Sequence, residues 1–444
     1  MRSHSFVTIL GWTLAATLAA RAGDSLAPEK ALPVHDGRDA YKPCAAFVKD
    51  GYVVAWQSGR LAPGDLREGF KFMGDIVGCR VDKNGKALDA EPFVISKADD
   101  LQEAPRAAAN KDTVLVVWQD LRNGKDWDVY AARVTHDGKV LDADGVLVAG
   151  GAHNQAKPDV AWDGKTFVVV WQDFRGGKMY EVFGARVNGE GRVLEPQGIG
   201  LSKQGGSCYD PTVASSGDGK SFVYWSVASR PLGIKVDAQS EGLFLTDGKP
   251  GAPIHKENPR GKHKMQPGWG NTPPFACAGK GAYLVAWRNE HPVGRGNGDQ
   301  GANAYLFDAD GKRKASLTVG GYKHRILGAD LAWDGEAFVA AWTEYRTKDT
   351  RVYVPHEHIF ASRIGSDGKV QGKAQLVAGS VTNPERWVYG NCQLGKASAG
   401  KREPPAMNAC VASDGKGATL IAYEKHPKTP ETPITIAFRL LRAK

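Results

Sequence analysis

The sequence predicts an all-β protein, a seven-bladed β-propeller built from four-stranded antiparallel blades. Three observations support this fold class. An apolar run that ends in an aromatic residue recurs seven times, tight Asp-Gly or Asn-Gly turns recur between the runs, and the two chain ends complement each other. The runs end at Trp56, Trp118, Trp171, Trp225, Trp287, Trp342 and Tyr423.

The third copy shows the repeated unit most clearly. Its four predicted strands are PDVAW, TFVVVW, EVFGARV and GIGLS, in chain order from residue 158. Asp163-Gly164 between the first two is typical of a tight hairpin, which needs a positive φ. The second strand is apolar at consecutive positions, so we expect each sheet to be covered on both faces.

Equivalent turns recur where the propeller needs them. First and second strands meet at Asp50-Gly51, Asp334-Gly335 and Asp414-Gly415, and third and fourth strands meet at Asn84-Gly85, Asp137-Gly138, Asp310-Gly311 and Asp367-Gly368. The seventh copy stops after its third strand, ITIAFRLL. We therefore predict that Ala31 to His35 supply its fourth strand and close the ring. An open solenoid is the alternative, and it would not need complementary ends.

The N-terminus predicts a signal peptide over residues 1–22. Phe6 to Ala20 is apolar but too short to span a bilayer, and Ala20-Arg21-Ala22 has the pattern of a cleavage site. Residues 23–444 then form a single propeller domain. No later apolar segment reaches about 20 residues. We expect a secreted or periplasmic protein without a membrane span; a retained signal anchor is the alternative.

The chain has six cysteines that could form disulfides or bind metals: Cys44, Cys79, Cys208, Cys277, Cys392 and Cys410. Export permits disulfides, and the absence of a C-x-x-C pair excludes zinc-ribbon, thioredoxin-like and c-type haem sites. Cys44 and Cys410 occupy matching positions on the innermost strands of blades 1 and 7. The sequence leaves two alternatives for this pair, a disulfide between them or two reduced thiols.

Two copies resemble a known repeat. WQDLRNGKDWDVYAARV, from Trp118, and WQDFRGGKMYEVFGARV, from Trp171, are similar to the W-x-D-x-R-x-G…D-I-Y repeats of secreted bacterial and archaeal propellers related to TolB-like proteins. The resemblance implies a propeller and export, and no single activity. The S-x-D-x-G box of sialidases is not evident in the turns, which argues against a sialidase.

Charged residues recur inside these two copies. Asp120 and Arg133 are 13 residues apart, as are Asp173 and Arg186. Catalytic carboxylates would not recur blade by blade, so we predict structural ion pairs between the second and third strands. The repeated tryptophans are predicted to be core residues rather than a sugar platform, since each ends the most apolar strand of its copy.

Long insertions fall on one face of the predicted propeller, the face of the connections between strands two and three and between blades. They are Leu61–Gly74, Glu257–Pro273, Arg288–Gly301, Thr343–His358 and Gly379–Pro405. Long loops on a rigid scaffold are where binding usually resides. Tolerated insertions without a role are the alternative.

Candidate site residues lie in these insertions. Those predicted to bind a ligand are Trp269, His291, Arg386, Trp387 and Tyr389. His356 and His358 would face the same side of a strand and form a candidate metal pair, which His153, His263 or His291 could complete. Surface histidines without a metal are the alternative. No motif identifies a catalytic residue.

The function that the sequence favours is binding of a polysaccharide or a cell-surface partner on the loop-rich face. The alternative is a carbohydrate-active enzyme, a hydrolase or lyase, using the same face. The basic run KENPRGKHK from Lys256 suits anionic ligands. We expect a monomer without nucleic-acid partners, and no cofactor apart from a divalent metal at the histidine pair.

Overall fold

A computed structural model describes residues 24–59, 73–202, 206–228, 238–257, 274–288, 302–319, 325–345, 357–379, 406–427 and 432–443. These ranges hold 29 strands and no α-helix. They confirm the predicted fold, because seven antiparallel sheets are arranged in a closed ring. No helix in the described ranges is long and apolar enough to cross a membrane.

The strands follow one another blade by blade. β1 (Ser25–Leu26) and β2 (Lys30–Ala31) come first. Blade 1 contains β3 (Ala40–Val48), β4 (Gly51–Ser58), β5 (Asp75–Asp82) and β6 (Phe93–Ser96). Blade 2 contains β7 (Gln102–Ala109), β8 (Thr113–Asp120), β9 (Asp128–Thr135) and β10 (Val146–Ala149). Blade 3 contains β11 (Gln155–Trp162), β12 (Phe167–Asp173), β13 (Glu181–Val187) and β14 (Ile199–Gly200).

The second half repeats this order. Blade 4 contains β15 (Ser207–Ser215), β16 (Lys220–Ala228), β17 (Ala238–Thr246) and β18 (Lys249–Glu257). Blade 5 contains β19 (Phe275–Gly279), β20 (Ala282–Arg288), β21 (Ala302–Asp308) and β22 (Arg313–Thr318). Blade 6 contains β23 (Arg325–Trp333), β24 (Ala337–Tyr345), β25 (Glu357–Gly365) and β26 (Val370–Ala378). Blade 7 contains β27 (Ala406–Ser413), β28 (Ala418–Lys425) and β29 (Thr435–Arg442).

The N-terminal segment closes the ring, as predicted, although mostly with other residues. β1 and β2 both pair with β29, so the fourth strand of blade 7 comes from Ser25–Leu26 and Lys30–Ala31 and includes only the start of the predicted segment Ala31 to His35. The chain turns at His35, whose carbonyl accepts the Arg38 N–H at 2.9 Å. Leu32 still donates its N–H to the Ile436 carbonyl of β29 at 2.8 Å, and the residues after it lead into β3.

The core lies between the blades, as the two-sided burial of the second strands requires. Trp56, Trp118, Trp171, Trp225, Trp342 and Tyr423 are at most 1% exposed. They pack in clusters that each join neighbouring blades. These six recurrent aromatic residues are therefore core residues and not an exposed sugar platform.

The predicted ion pairs between the second and third strands are wrong. In the antiparallel register Asp120 lies opposite Asp128, whereas Arg133 lies opposite Leu115, at the other end of the strand pair. Arg133 instead pairs with Asp142 at 2.8 Å. In blade 3 Arg186 likewise pairs with Glu195.

Asp120 pairs with Arg122, two residues further along the chain. Its carboxylate accepts the Trp118 indole N–H at 2.8 Å and bonds from the Arg122 side chain at 2.6 and 2.9 Å. The Arg122 guanidinium stacks on Tyr130, 3.8 Å from the ring centroid. Gly145 (φ +82°) lies against the Trp118 ring, where a Cβ would approach within 2.8 Å. We call Trp118, Asp120 and Arg122 the blade lock. Blade 3 repeats it with Trp171, Asp173 and Arg175.

Ring closure is also held by a polar contact. The Glu29 carboxylate, between β1 and β2, accepts the Tyr423 hydroxyl at 2.6 Å and a bond from Lys425 Nζ. Burial acts to raise the pKa of Glu29, but the bonds from Lys425 and Tyr423 outweigh burial and hold the pKa below its ordinary value of 4.5. Because the folded-state pKa is lowered, this contact stabilises the fold above about pH 4.5 and is lost as the pH falls through the lowered value.

We predict that Glu29→Gln lowers the free energy of unfolding at pH 7 by about 1 kcal/mol, because it removes a half-buried charged acceptor. Urea unfolding at pH 7 and at pH 3.5 measures the effect. The difference between variant and wild type should shrink at the lower pH. A difference that is equal at both pH values would mean that the Glu29 charge does not contribute to closure.

Candidate functional site

One residue from each innermost strand occupies the same register position around the channel. In every blade this residue lies opposite the one that directly precedes the repeated aromatic residue of the second strand. We call these seven residues the register ring. They are Cys44, Arg106, Asp159, Thr212, Phe275, Asp330 and Cys410.

Arg106 of blade 2 extends from its own strand to three other blades. Its Nε donates to Asp159 of blade 3 at 3.0 Å, and its Nη2 lies 3.8 Å from Asp330 of blade 6. The guanidinium also lies 4.9 Å from the ring centroid of Phe275 in blade 5. Burial acts to lower the pKa of Arg106, but the two carboxylates outweigh it and raise the pKa. Arg106 is thus a fixed cation in the channel.

Other ring residues satisfy backbone amides of the next blade. Asp159 accepts the Val213 N–H at 3.0 Å and the Thr212 hydroxyl at 2.7 Å. Asp330 accepts the Val411 N–H at 2.9 Å. The inner edge of a propeller sheet leaves such groups without a strand partner, and these side chains replace it. Burial raises the pKa of Asp330, partly offset by the Arg106 charge.

A β-bulge precedes the register ring in most blades. Five non-glycine residues two positions before the ring have φ between 48° and 55°: Lys42, Ala104, Lys157, Asp210 and Asn408. The strand register shifts at each of them. Non-glycine residues in this conformation are costly, and bulges that recur next to a channel are typical of functional sites.

Side chains from the preceding blade hold three of these bulges. Gln119 Oε1 accepts the Lys157 N–H at 2.9 Å, and Glu424 Oε1 accepts the Lys42 N–H at 2.7 Å. Gln172 does the same for Asp210 at 3.2 Å. Each acceptor directly follows a repeated aromatic residue. The strained positions are therefore fixed by the neighbouring blade.

A cavity of about 340 Å³ opens above the register ring and is lined by residues of all seven blades. Apart from Gln119 near the end of β8, the lining comes from residues in or just before the first part of the innermost strands, so the cavity is at the end of the channel where β4, β8 and the other second strands finish. The strands that flank the five long insertions begin or end at this same end. We call the cavity the channel mouth. Its size falls within the range of small-ligand sites, about 300–1,000 Å³.

The charged side chains of the channel mouth are paired across blades. Lys42 lies 3.2 Å from Glu103, and Lys157 Nζ bonds Asp210. Arg106 and Asp159 form a third such pair. Each cation of the described lining therefore has a carboxylate partner on the next blade. The two lysines are about half exposed, at 47% and 46%, so their ammonium groups face the cavity rather than the core.

The cysteines of the ring are free thiols. Cys44 and Cys410 form no disulfide in the described structure, so the reduced alternative describes these two residues. Burial raises the pKa of Cys44 to about 12, and it also raises those of Cys410 and Cys277. Protonated, buried thiols are poor nucleophiles and poor metal ligands.

Most of the predicted site residues lie outside the described residues. These are Trp269, His291, Arg386, Trp387, Tyr389 and His356, together with His263. His358 is buried in β25, 7% exposed, with its ring edge-on to Phe360 at 6.4 Å. His153 packs against Phe174 and does not line the channel mouth. Within the described ranges, no three His, Cys, Asp or Glu residues are placed to hold a metal.

Sequence reasoning missed the residues of the channel mouth, although a signal was present. In five copies a proline directly precedes the ring residue, as in KPC, APR, KPD, DPT and PPF. The residue after this proline changes between Cys, Arg, Asp, Thr and Phe, whereas the positions two further along are small in each copy. A varied position inside an otherwise uniform repeat indicates a site, because the repeated core does not require that variation.

Comparisons with known proteins show what the chain resembles in shape. No protein-family model and no curated protein matches it. A protein of unknown function from Dyadobacter fermentans aligns with a TM-score of 0.49 and 12% identity, over 95% of this chain and 100% of that chain. A Trypanosoma rangeli sialidase aligns with a TM-score of 0.46 and 9% identity, over 94% of this chain but only 59% of that chain.

An α-L-arabinofuranosidase from Fusarium graminearum aligns with a TM-score of 0.44 and 12% identity, over 78% of this chain and 98% of that chain. All of these scores are below 0.5, so none of these proteins informs the chemistry of the channel mouth. The seven-bladed propeller rests on the strand topology of this chain itself.

Proposed function

We propose that this chain is an exported β-propeller that binds a polysaccharide at the channel mouth, on the face that carries its long insertions. The observation that carries the proposal is the cavity of about 340 Å³ to which all seven blades contribute. Prolines and Phe275 give it apolar walls, and a few fixed polar groups lie between them. This combination is typical of sites that bind small ligands or parts of larger ones.

Binding is favoured over catalysis because the carboxylates of the lining are already engaged. Asp159 accepts three hydrogen bonds, and Glu103 accepts bonds from both Lys42 and Gln119. Export is part of the proposal, since residues 1–22 have the pattern of a signal peptide. The resemblance to TolB-like repeats is consistent with it and stays a prediction.

The second candidate is a carbohydrate-active enzyme that uses the same cavity. The lining favours it, because Glu103, Asp159 and Asp210 place three carboxylates at the wall of the cavity. Incubating the bound glycans with the protein and analysing them by mass spectrometry decides between the candidates, since only an enzyme shortens them.

We predict that Lys157→Gln weakens glycan binding at least tenfold, because it removes a half-exposed ammonium donor from the cavity. Tenfold corresponds to about 1.4 kcal/mol. A glycan array identifies a ligand, and titration calorimetry measures its affinity. Lys165→Gln is a matched control, since Lys165 pairs with Asp247 at 2.8 Å at the opposite end of blade 3. Equal affinity of both variants and the wild type would contradict binding at the channel mouth.

A further inference from the structure

The charges of the channel mouth are balanced, although the whole chain carries a formal charge of +9. Its described lining holds three cations and three carboxylates, and each cation pairs with a carboxylate of the next blade. The pairs are Lys42 with Glu103, Arg106 with Asp159, and Lys157 with Asp210. Among the residues that the structure describes, no cation of the lining is left without a carboxylate partner to attract an anion.

Two further carboxylates contact the lining from behind. Asp330 faces Arg106 at 3.8 Å, and Glu424 accepts bonds from the Lys42 N–H and from Asn408 Nδ2. Neither of them has a further cation from the lining within bonding distance. An anionic group entering the cavity would therefore meet carboxylates and paired cations in the described lining at short range, where solvent screens charge least.

The remaining lining suits a neutral polyhydroxylated molecule. Five prolines from successive blades present C–H surface without N–H groups: Pro43, Pro105, Pro158, Pro211 and Pro274. Gln119 and Asn408 add amides, and the paired lysines and carboxylates add donors and acceptors. Sugar hydroxyls can both donate to the carboxylates and accept from the ammonium groups without disturbing the charge pairs.

We propose that the channel mouth selects neutral saccharides and rejects uronate-containing ones, against the expectation from the basic composition. This inference rests on the proposed function, because it names the ligand class for the same cavity. The carboxylates act as the selective element: they hold the lysines that would otherwise bind the acidic group of a uronate.

Calorimetric titration with neutral hexose oligosaccharides and with uronate oligosaccharides of the same length tests the proposal. The wild type should bind the neutral set with an affinity that changes less than twofold between 50 and 500 mM NaCl. The uronate set should bind at least tenfold more weakly. Tighter binding of uronates that falls with salt and is lost in Lys157→Gln would overturn the inference and leave the proposed function intact. If Lys157→Gln changes the affinity for neither set of oligosaccharides, the proposed function itself fails.

Asp210→Asn tests the selective element directly. Asp210 has φ 50°, a conformation that Asn tolerates, and its replacement frees Lys157 from its partner. The variant should gain at least fivefold in affinity for uronates. Asp247→Asn is the control, because Asp247 has φ 48° and pairs with Lys165 at the opposite end of the blade. If Asp210→Asn does not fold, Glu103→Gln frees Lys42 instead. A folded variant without any gain for uronates would overturn the proposal.

Discussion

Replacing Arg106 with Met should lower the free energy of unfolding by about 3 kcal/mol at pH 7.5, among the largest effects of a single substitution in this chain. The guanidinium lies between Asp159 and Asp330 and contacts Phe275 on the far side of the channel. Methionine preserves much of the volume but leaves two carboxylates without a cation. Urea unfolding measures the loss.

The pH dependence of this loss of stability shows whether unpaired charge is its cause. Burial already raises the pKa of Asp330, and removing Arg106 raises it further. A carboxyl with a raised folded-state pKa binds more protons when folded than when unfolded, so stability falls as the pH rises from about 4 through that value. The penalty of Arg106→Met should therefore be smaller at pH 5 than at pH 7.5.

Two comparisons make this prediction specific. Adding Asp330→Asn to Arg106→Met should restore part of the stability, because it removes an unpaired buried charge. Lys165→Met is the control, since Lys165 is 64% exposed and pairs at the surface with Asp247, which is 54% exposed. It should leave the free energy of unfolding nearly unchanged. A penalty for Arg106→Met that is independent of pH and of Asp330 would mean that lost packing, and not charge, explains the loss.

The sequence predicted the scaffold because the scaffold depends on local patterns. Trp118 and Trp171 end fully apolar strands, and Asp163-Gly164 marks a hairpin that the structure contains. Those signals are set by neighbours in the chain and repeat from blade to blade. Blade number, strand order and ring closure follow from counting them.

The channel mouth depends on contacts that sequence spacing does not encode. Arg106 meets Asp330 of blade 6, more than 200 residues away, only because the ring closes. The spacing of Asp120 and Arg133 was misleading for a related reason. In an antiparallel strand pair, a residue beside the turn and a residue many positions further along the chain lie at opposite ends of the pair. Here Asp120 lies beside the turn and Arg133 lies at the far end.

The blade lock gives the second large effect. Asp120→Ala should lower the free energy of unfolding by about 3 kcal/mol, because Asp120 is fully buried and accepts the Trp118 indole N–H and the Arg122 guanidinium. Without the carboxylate, both donors lose their acceptor inside the protein, and Arg122 loses the contact that holds it over Tyr130. Thermal and urea unfolding measure the loss.

A double-mutant cycle distinguishes the observed pairing from the one that spacing indicated. Asp120→Ala combined with Arg122→Ala should give a coupling energy of about 1–3 kcal/mol, as for residues in direct contact. Asp120→Ala combined with Arg133→Ala should be additive within about 0.5 kcal/mol, because Arg133 pairs with Asp142 instead. Strong coupling between Asp120 and Arg133 would contradict the structure of blade 2. Additive behaviour of Asp120 and Arg122 would mean that the aspartate stabilises the fold through the Trp118 indole and the Arg122 backbone N–H, which Arg122→Ala retains.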